Sequence, residues 1–180
     1  PSVIPGGKLR GDLARRGMQL QTMPGVDAAY SYFGMENPVV GGYTPEKVAL
    51  RRALALSYDN QAEIAQARKG QMLPAQSMVP PAMWGYDPAF RSEIGDFNVA
   101  RANALLDLFG YVDRDGDGYR DQPDGAPLTI EYSSQPDQTS RTLQDLWRRS
   151  FQSLHIRYRF NIGKWPEQVK ASRTGKLMMW

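Results

Sequence analysis

Five aspartates crowd into one twelve-residue stretch, DRDGDGYRDQPD, which runs from Asp113 to Asp124. Their spacing matches positions 1, 3, 5, 9 and 12 of an EF-hand calcium loop, and Gly118 falls at position 6, where the sharp turn needs a glycine. Position 7 supplies a backbone carbonyl to the ion, and it is held by a tyrosine. The pattern predicts a calcium site whose candidate ligands are Asp113, Asp115, Asp117, Tyr119, Asp121 and Asp124.

The segments on either side bear on whether this loop is an EF-hand. Upstream, apolar residues recur at helical spacing and Gly110 ends the predicted helix. Downstream, Leu128, Ile130 and Tyr132 alternate with polar or small residues, which is the period of a half-buried strand. The unit is therefore helix, acidic loop, strand. Two interpretations stay open: a calcium loop, or an Asp/Gly turn whose side chains hydrogen-bond its own backbone.

Other residue types that carry chemistry are sparse. The chain has no cysteine and a single histidine, His155, at a predicted junction of helix and strand. It contains no G-x-S-x-G elbow, no P-loop and no strand followed by G-x-G-x-x-G. We therefore predict that the protein is not an enzyme, and a hydrolase would need catalytic groups from outside this sequence.

Charge and hydropathy exclude two further classes of partner. The formal charge is +3, and the basic residues are scattered instead of forming the patch that nucleic acid requires. No apolar run approaches the ~20 residues of a membrane-spanning helix. We expect neither a nucleic-acid partner nor a membrane span in this segment.

Two tyrosines are the candidate ligand contacts. Tyr30 and Tyr32 stand two residues apart in a predicted strand, so their side chains share one face. They either pack under a helix or border a cleft, where rigid amphipathic rings recognise a ligand at low entropic cost.

The remaining pattern alternates strands with helices, which is typical of an α/β domain. Trp84 and Tyr86 are expected to anchor a long proline-rich loop. The predicted elements are strands at 18–22 and 28–35, helices starting at Pro45 and Asn60, a loop over 71–95, a helix capped by Asp137, a strand over 156–162, a short helix containing Trp165, and a last strand at 177–180.

This order predicts one α/β domain, a mixed sheet with flanking helices, over residues 1–180. Residues 1–43 are lead-in strands and residues 44–180 are the helix and strand body. Because the chain starts at Pro1 without a methionine and stops on the apolar run GKLMMW, we expect a fragment that is truncated at both ends.

Four blocks of sequence resemble the family 5 extracellular solute-binding proteins, the peptide- and nickel-binding components of ABC importers. The resemblance spans most of residues 18–180. It departs from the family at Gly34, where asparagine is common, and at His155, where glycine usually stands. The blocks are FGMENP from Phe33, VALRRALALSYDN from Val48, NVARANALLDLFGY from Asn98 with the acidic loop after it, and Leu154–Ile156 leading to GKLMMW.

The resemblance implies part of the C-terminal lobe of a two-lobed, periplasmic-binding-protein-like fold. It implies a periplasmic, monomeric receptor that closes on a peptide or similar small solute and delivers it to the permease of an ABC transporter. Tyr30 and Tyr32 would contribute to the cleft, and the family's ligand-facing Gly-Trp would follow Trp180. The alternative function is a calcium-dependent interaction module that uses residues 113–124.

Overall fold

A computed structural model describes residues 8–180. It confirms the predicted order of helix, acidic loop and strand, and the helices predicted at Pro45, at Asn60, after Asp137 and at Trp165. The elements are α1 (Gly11–Arg15), α2 (Pro45–Leu56), α3 (Asn60–Gln66), α4 (Val99–Leu108), β1 (Thr129–Ser134), α5 (Gln138–Ser153), β2 (Arg157–Ile162) and α6 (Trp165–Arg173).

The residues group into two compact units. The first contains the described part of residues 1–29 together with residues 60–92, and the second contains residues 30–59 and 93–180. The sheet and the helices α2, α4, α5 and α6 all belong to the second unit. Seven residues of the lead-in predicted for 1–43 lie outside the described range. The truncation of the chain at both ends stays a prediction.

The first unit contains α1, α3 and most of the proline-rich segment. Residues 67–98 form neither helix nor strand, which confirms the long loop predicted there. The anchoring predicted for this loop is wrong, because Trp84 is fully exposed and Tyr86 is also exposed. The strand predicted at 18–22 is wrong as well: those residues have no pairing partner among the residues described, and a strand exists only by pairing.

The second unit is built on a mixed sheet. Strands β1 and β2 run parallel, from Thr129 opposite Arg157 to Ser134 opposite Ile162. Met179 bridges β1 in parallel at Tyr132 and bridges Phe33 in antiparallel on its other side. The order across the sheet is therefore 32–34, 178–180, β1, β2, so the predicted strands at 28–35 and 177–180 contribute only their paired residues.

Helix α5 covers one face of this sheet with aromatic side chains. Trp147 lies with its ring centroid 4.3 Å from Tyr58, 5.6 Å from Tyr132 and 5.5 Å from Phe151, and Phe151 stacks in turn on Tyr158 at 5.4 Å. The spacing of i and i+4 places Trp147 and Phe151 on one side of the helix. Burial of these rings makes α5 the main support of the strands.

The predicted cap of α5 gives a first test. Asp137 accepts a hydrogen bond from the backbone N–H of Ser140 at 2.9 Å, and the Ser140 hydroxyl also donates to it and lowers the pKa of the carboxyl group. We expect Asp137→Ala to cost about 1 kcal/mol of unfolding free energy in urea denaturation, whereas Asp137→Asn, which can still cap, should cost less. Since the folded-state pKa is lowered, the cost should shrink as the pH falls through that pKa, below the ordinary value of about 4. A cost of Asp137→Ala that is no larger at pH 7 than at pH 2 would show that the ionised carboxylate adds nothing to the cap.

Candidate functional site

Four side chains form one row across the sheet near the carboxyl ends of its parallel strands. Tyr32 and Trp180 exchange both backbone hydrogen bonds, at 2.8 and 3.1 Å, so they lie directly opposite each other. Ser133 follows the bridged Tyr132 and is the next residue across from Trp180, and Asn161 is its partner on β2. Because paired residues share a face of the pleat, the row reads Tyr32, Trp180, Ser133, Asn161 on one face. The carboxyl edge of an open α/β sheet is the usual location of a ligand site.

Aromatic rings dominate this edge. The ring of Trp180 lies 6.2 Å from that of Tyr32, nearly edge-on, and 5.3 Å from that of Trp165 at the start of α6. Trp165 is 57% exposed and Tyr30 is 65% exposed. The edge thus offers open aromatic surface above a partly buried row.

Two hydroxyl groups in the row lack partners. The hydroxyl oxygen of Tyr32 and the Oγ of Ser133 are buried, and neither has a hydrogen-bond partner among residues 8–180. Buried polar groups are nearly always hydrogen-bonded, so unpaired ones in a native structure call for a partner such as water or ligand. Their position in one row gives the edge polar as well as aromatic character.

Helix α6 is fixed to this edge by an amide side chain. The Nε2 of Gln168 donates to the carbonyl of Asn161 at 3.0 Å and to that of Ser134 at 3.4 Å. Both carbonyls lie where the parallel strands end, and the Gln168 side chain is buried. The bridge sets the position of Trp165, three residues earlier on α6.

The structure separates the two tyrosines predicted as ligand contacts. Tyr32 lies within the row, whereas Tyr30 precedes the paired residues. Their role in binding stays a prediction. Sequence reasoning missed Trp165 and left Trp180 without a role, although an exposed aromatic residue at the first position of a helix that follows a strand is a recognisable signal.

The acidic loop hydrogen-bonds its own backbone, as one of the two interpretations predicts. Asp113 accepts from the N–H groups of Gly116 and Gly118, Asp115 accepts from that of Asp117, and Asp117 accepts from that of Tyr119. The bond from Gly118 is the main reason why the pKa of Asp113 is lowered. These turn contacts explain the spacing of aspartate and glycine without a metal ion.

Only part of the predicted calcium set converges. Carboxylate oxygens of Asp113, Asp115 and Asp117 lie within 4.8 Å of one another. Asp121 instead turns inward to accept from the N–H of Arg114 at 3.0 Å, and Asp124 accepts from that of Ala126 at 3.0 Å. Calcium binding by this loop stays a prediction.

His155 contacts another segment through its backbone. Its side chain is exposed, its backbone adopts a left-handed conformation with φ of 54°, and its carbonyl accepts from the N–H of Arg120 at 2.8 Å. The residue connects α5 to β2 at a tight turn.

Among residues 8–180, no helix has the length and apolar character needed to span a bilayer.

Solved structures of solute-binding proteins share this fold of an α/β sheet with flanking helices. The oligopeptide-binding protein AppA of Bacillus subtilis, in complex with a nonapeptide, superposes with a TM-score of 0.67 at 20% identity, over 82% of this chain and 29% of AppA. The periplasmic binding protein MelB of Agrobacterium fabrum, in complex with stachyose, gives 0.62 at 18% identity, over 83% of this chain and 24% of MelB.

The family follows from the sequence match. The family described as bacterial extracellular solute-binding proteins, family 5 Middle, matches residues 10–180, and the chain belongs to it. The dipeptide-binding protein of Escherichia coli (strain K12) is 24% identical over 172 residues, which are 92% of this chain and 29% of that protein. The chain therefore spans less than a third of the relatives it matches. These comparisons give no support to the calcium-dependent interaction module.

Proposed function

We propose that this chain is part of an extracytoplasmic solute receptor of an ABC importer and binds its ligand at the carboxyl edge of the sheet. The observation that carries the proposal is the row Tyr32, Trp180, Ser133, Asn161, with Trp165 placed beside it. Family membership supports the receptor class, and the family is one of binding proteins, not of enzymes.

The aromatic edge suits recognition without catalysis. Trp165 and Tyr30 present rigid rings that contact a ligand at low entropic cost. The hydroxyls of Tyr32 and Ser133, which have no partner in the part of the chain that the structure describes, are available for polar groups of a ligand or for bridging water. The same surface therefore accepts the apolar and the polar parts of a small solute.

Binding by such a lobe depends on a second surface. In the proposed receptor, a second lobe outside this chain closes over the edge, and ligand contacts stabilise the closed state over the open one. The closed receptor then delivers its solute to the permease in the membrane. We place the receptor in the periplasm, because one relative is named a probable ABC transporter periplasmic-binding protein, and we propose that it acts as a monomer.

A peptide is the first ligand to test. The names of the relatives mention a dipeptide, and one solved neighbour holds a nonapeptide, whereas another holds stachyose. A mixed-sequence nonapeptide and stachyose are therefore the two probes to compare.

The four tryptophans give this proposal its test, because each indole N–H produces its own NMR signal. Titration of the chain with millimolar nonapeptide is expected to shift the signals of Trp165 and Trp180. The signals of Trp84, in the first unit, and of Trp147, in the core, should stay unchanged. Trp165→Ala should weaken binding about tenfold, with Trp84→Ala as the matched control.

Two results would count against the proposal. If neither probe moves the Trp165 signal, the carboxyl edge is not the binding surface. If the isolated chain binds a probe with submicromolar affinity, closure of a second lobe is not needed, and the two-lobe account fails.

A further inference from the structure

Arg157, the first residue of β2, reaches the acidic loop from forty residues away in sequence. Its Nη2 donates to the carboxylate of Asp117, and its Nη1 lies 3.8 Å from Oδ1 of Asp121. The guanidinium carbon also stands 5.1 Å from the centre of the Tyr119 ring, in cation–π geometry. Loop positions 5, 7 and 9 of the calcium pattern therefore all face one guanidinium group.

The carboxylate of Asp121 is the member of the loop that most needs a cation. Its side chain is 3% exposed, and one oxygen accepts from the N–H of Arg114. The other oxygen, Oδ1, accepts no hydrogen bond from any of residues 8–180 and faces Arg157. A buried carboxylate without a counter-ion is strongly unfavourable, so Asp121 depends on the charge of Arg157.

We propose that Arg157 is the resident cation of the acidic loop and takes the place that a divalent ion would occupy. The loop then folds without calcium, because one guanidinium pairs with Asp117, faces the buried carboxylate of Asp121 and lies over the ring of Tyr119. It also ties the loop to β2, the strand that contributes Asn161 to the row. A divalent ion would have to compete with Arg157 for Asp117, so calcium affinity is low while the arginine is present.

Arg157→Gln tests the proposal, because it removes the charge and leaves the two carboxylates facing the vacated position. In thermal unfolding without metal, the variant is expected to melt roughly 5 °C below the wild type. Millimolar calcium should raise its melting temperature by about 3 °C or more, since an ion that binds only the folded state stabilises it. The wild type should shift by less than about 1 °C at the same concentration, because its cation position is filled.

Arg159→Gln is the matched control. Arg159 lies two residues further along β2, is 71% exposed and pairs with Glu131, outside the loop. Its replacement removes the same charge from the same strand, and calcium should not change the melting temperature of this variant. In the double variant Arg157→Gln with Asp117→Asn, the calcium response should be lost.

Either of two outcomes would overturn the proposal. Equal stabilisation of wild type and Arg157→Gln by calcium would show a metal site that the arginine does not occupy. A melting temperature of Arg157→Gln that calcium leaves unchanged would show that the position holds no exchangeable cation.

If Arg157→Gln does not fold, Arg157→Lys keeps the charge without the planar fork. The lysine variant should then fold and stay insensitive to calcium, and a calcium requirement would refute the proposal.

Discussion

Replacement of Arg120 by methionine is expected to lower the free energy of unfolding by about 3–5 kcal/mol, because it removes a buried charge from a complete set of partners. Arg120 donates through Nε to the carbonyl of Leu154 at 2.9 Å and through Nη2 to the side-chain oxygen of Asn103 at 2.9 Å. Its Nη1 donates to the carboxylate of Asp107 and to the carbonyl of Tyr111.

The cost comes from the groups that Arg120 leaves behind. The residues Leu154 and Tyr111 are fully buried, so their carbonyls would lose a partner away from water. These contacts join the end of α4, the acidic loop and the turn between α5 and β2, so their loss loosens three segments together. Methionine fills similar volume, which separates the polar effect from a cavity effect.

Urea denaturation followed by tryptophan fluorescence measures the change. Arg149→Met, on the exposed face of α5, is the control and should cost less than about 0.5 kcal/mol. Asp107→Asn should also cost no more than about 1 kcal/mol, since the Asp107 carboxylate is more than half exposed. If Arg120→Met lowers the free energy of unfolding no more than Asp107→Asn does, the hydrogen bonds from Arg120 to the carbonyls of Leu154 and Tyr111 contribute little to stability.

Gly34→Ala is expected to cost about 3 kcal/mol and to disturb the row at the carboxyl edge. A Cβ atom at this position would lie 2.2 Å from the carbonyl oxygen of Leu177. That oxygen belongs to backbone, which cannot move aside as the tip of a long side chain could. The N–H of Gly34 also donates to the carbonyl of Met178 at 2.8 Å, so relief of the clash must lengthen this pairing.

The same substitution has a second readout at the proposed binding surface. Tyr32 is held opposite Trp180 by the strand that contains Gly34, so the indole signal of Trp180 should shift in the variant even without ligand. Gly25→Ala is the control, because a Cβ there meets no atom within 4 Å. If Gly34→Ala and Gly25→Ala had equal free energies of unfolding, the backbones at Gly34 and Leu177 would have room for a methyl group, and the prediction would be wrong.

Local signals in the sequence predicted most of the helices. The predicted cap at Asp137 is the start of α5, and the helix predicted to start at Pro45 is α2. The acidic loop was predicted to lie between a helix and a strand. One of its two interpretations was a turn in which aspartate side chains bond the nearby backbone, and Asp113 makes such bonds. Such interactions need no distant partner, so a single sequence reveals them.

The wrong predictions concern segments that depend on distant partners. Residues 18–22 have the composition of a strand, but no strand among residues 8–180 pairs with them. Trp84 has the character of an anchor, but its side chain is fully exposed within the same range. At His155, the structure explains a residue preference of the family. The family resemblance puts glycine at this position, and the φ of 54° explains that preference, since a left-handed backbone suits glycine better than histidine.

By itself, the sequence determined the family, the α/β class and the place of the acidic loop between a helix and a strand, because these rest on local spacing and on blocks of residues that lie close along the chain. Only the tertiary structure decided which residues share the candidate site. Tyr32, Ser133, Asn161 and Trp180 come from four segments and become neighbours through strand pairing. Arg157 reaches the acidic loop for the same reason, since β2 must pair with β1 before its first side chain can meet Asp117 and Asp121.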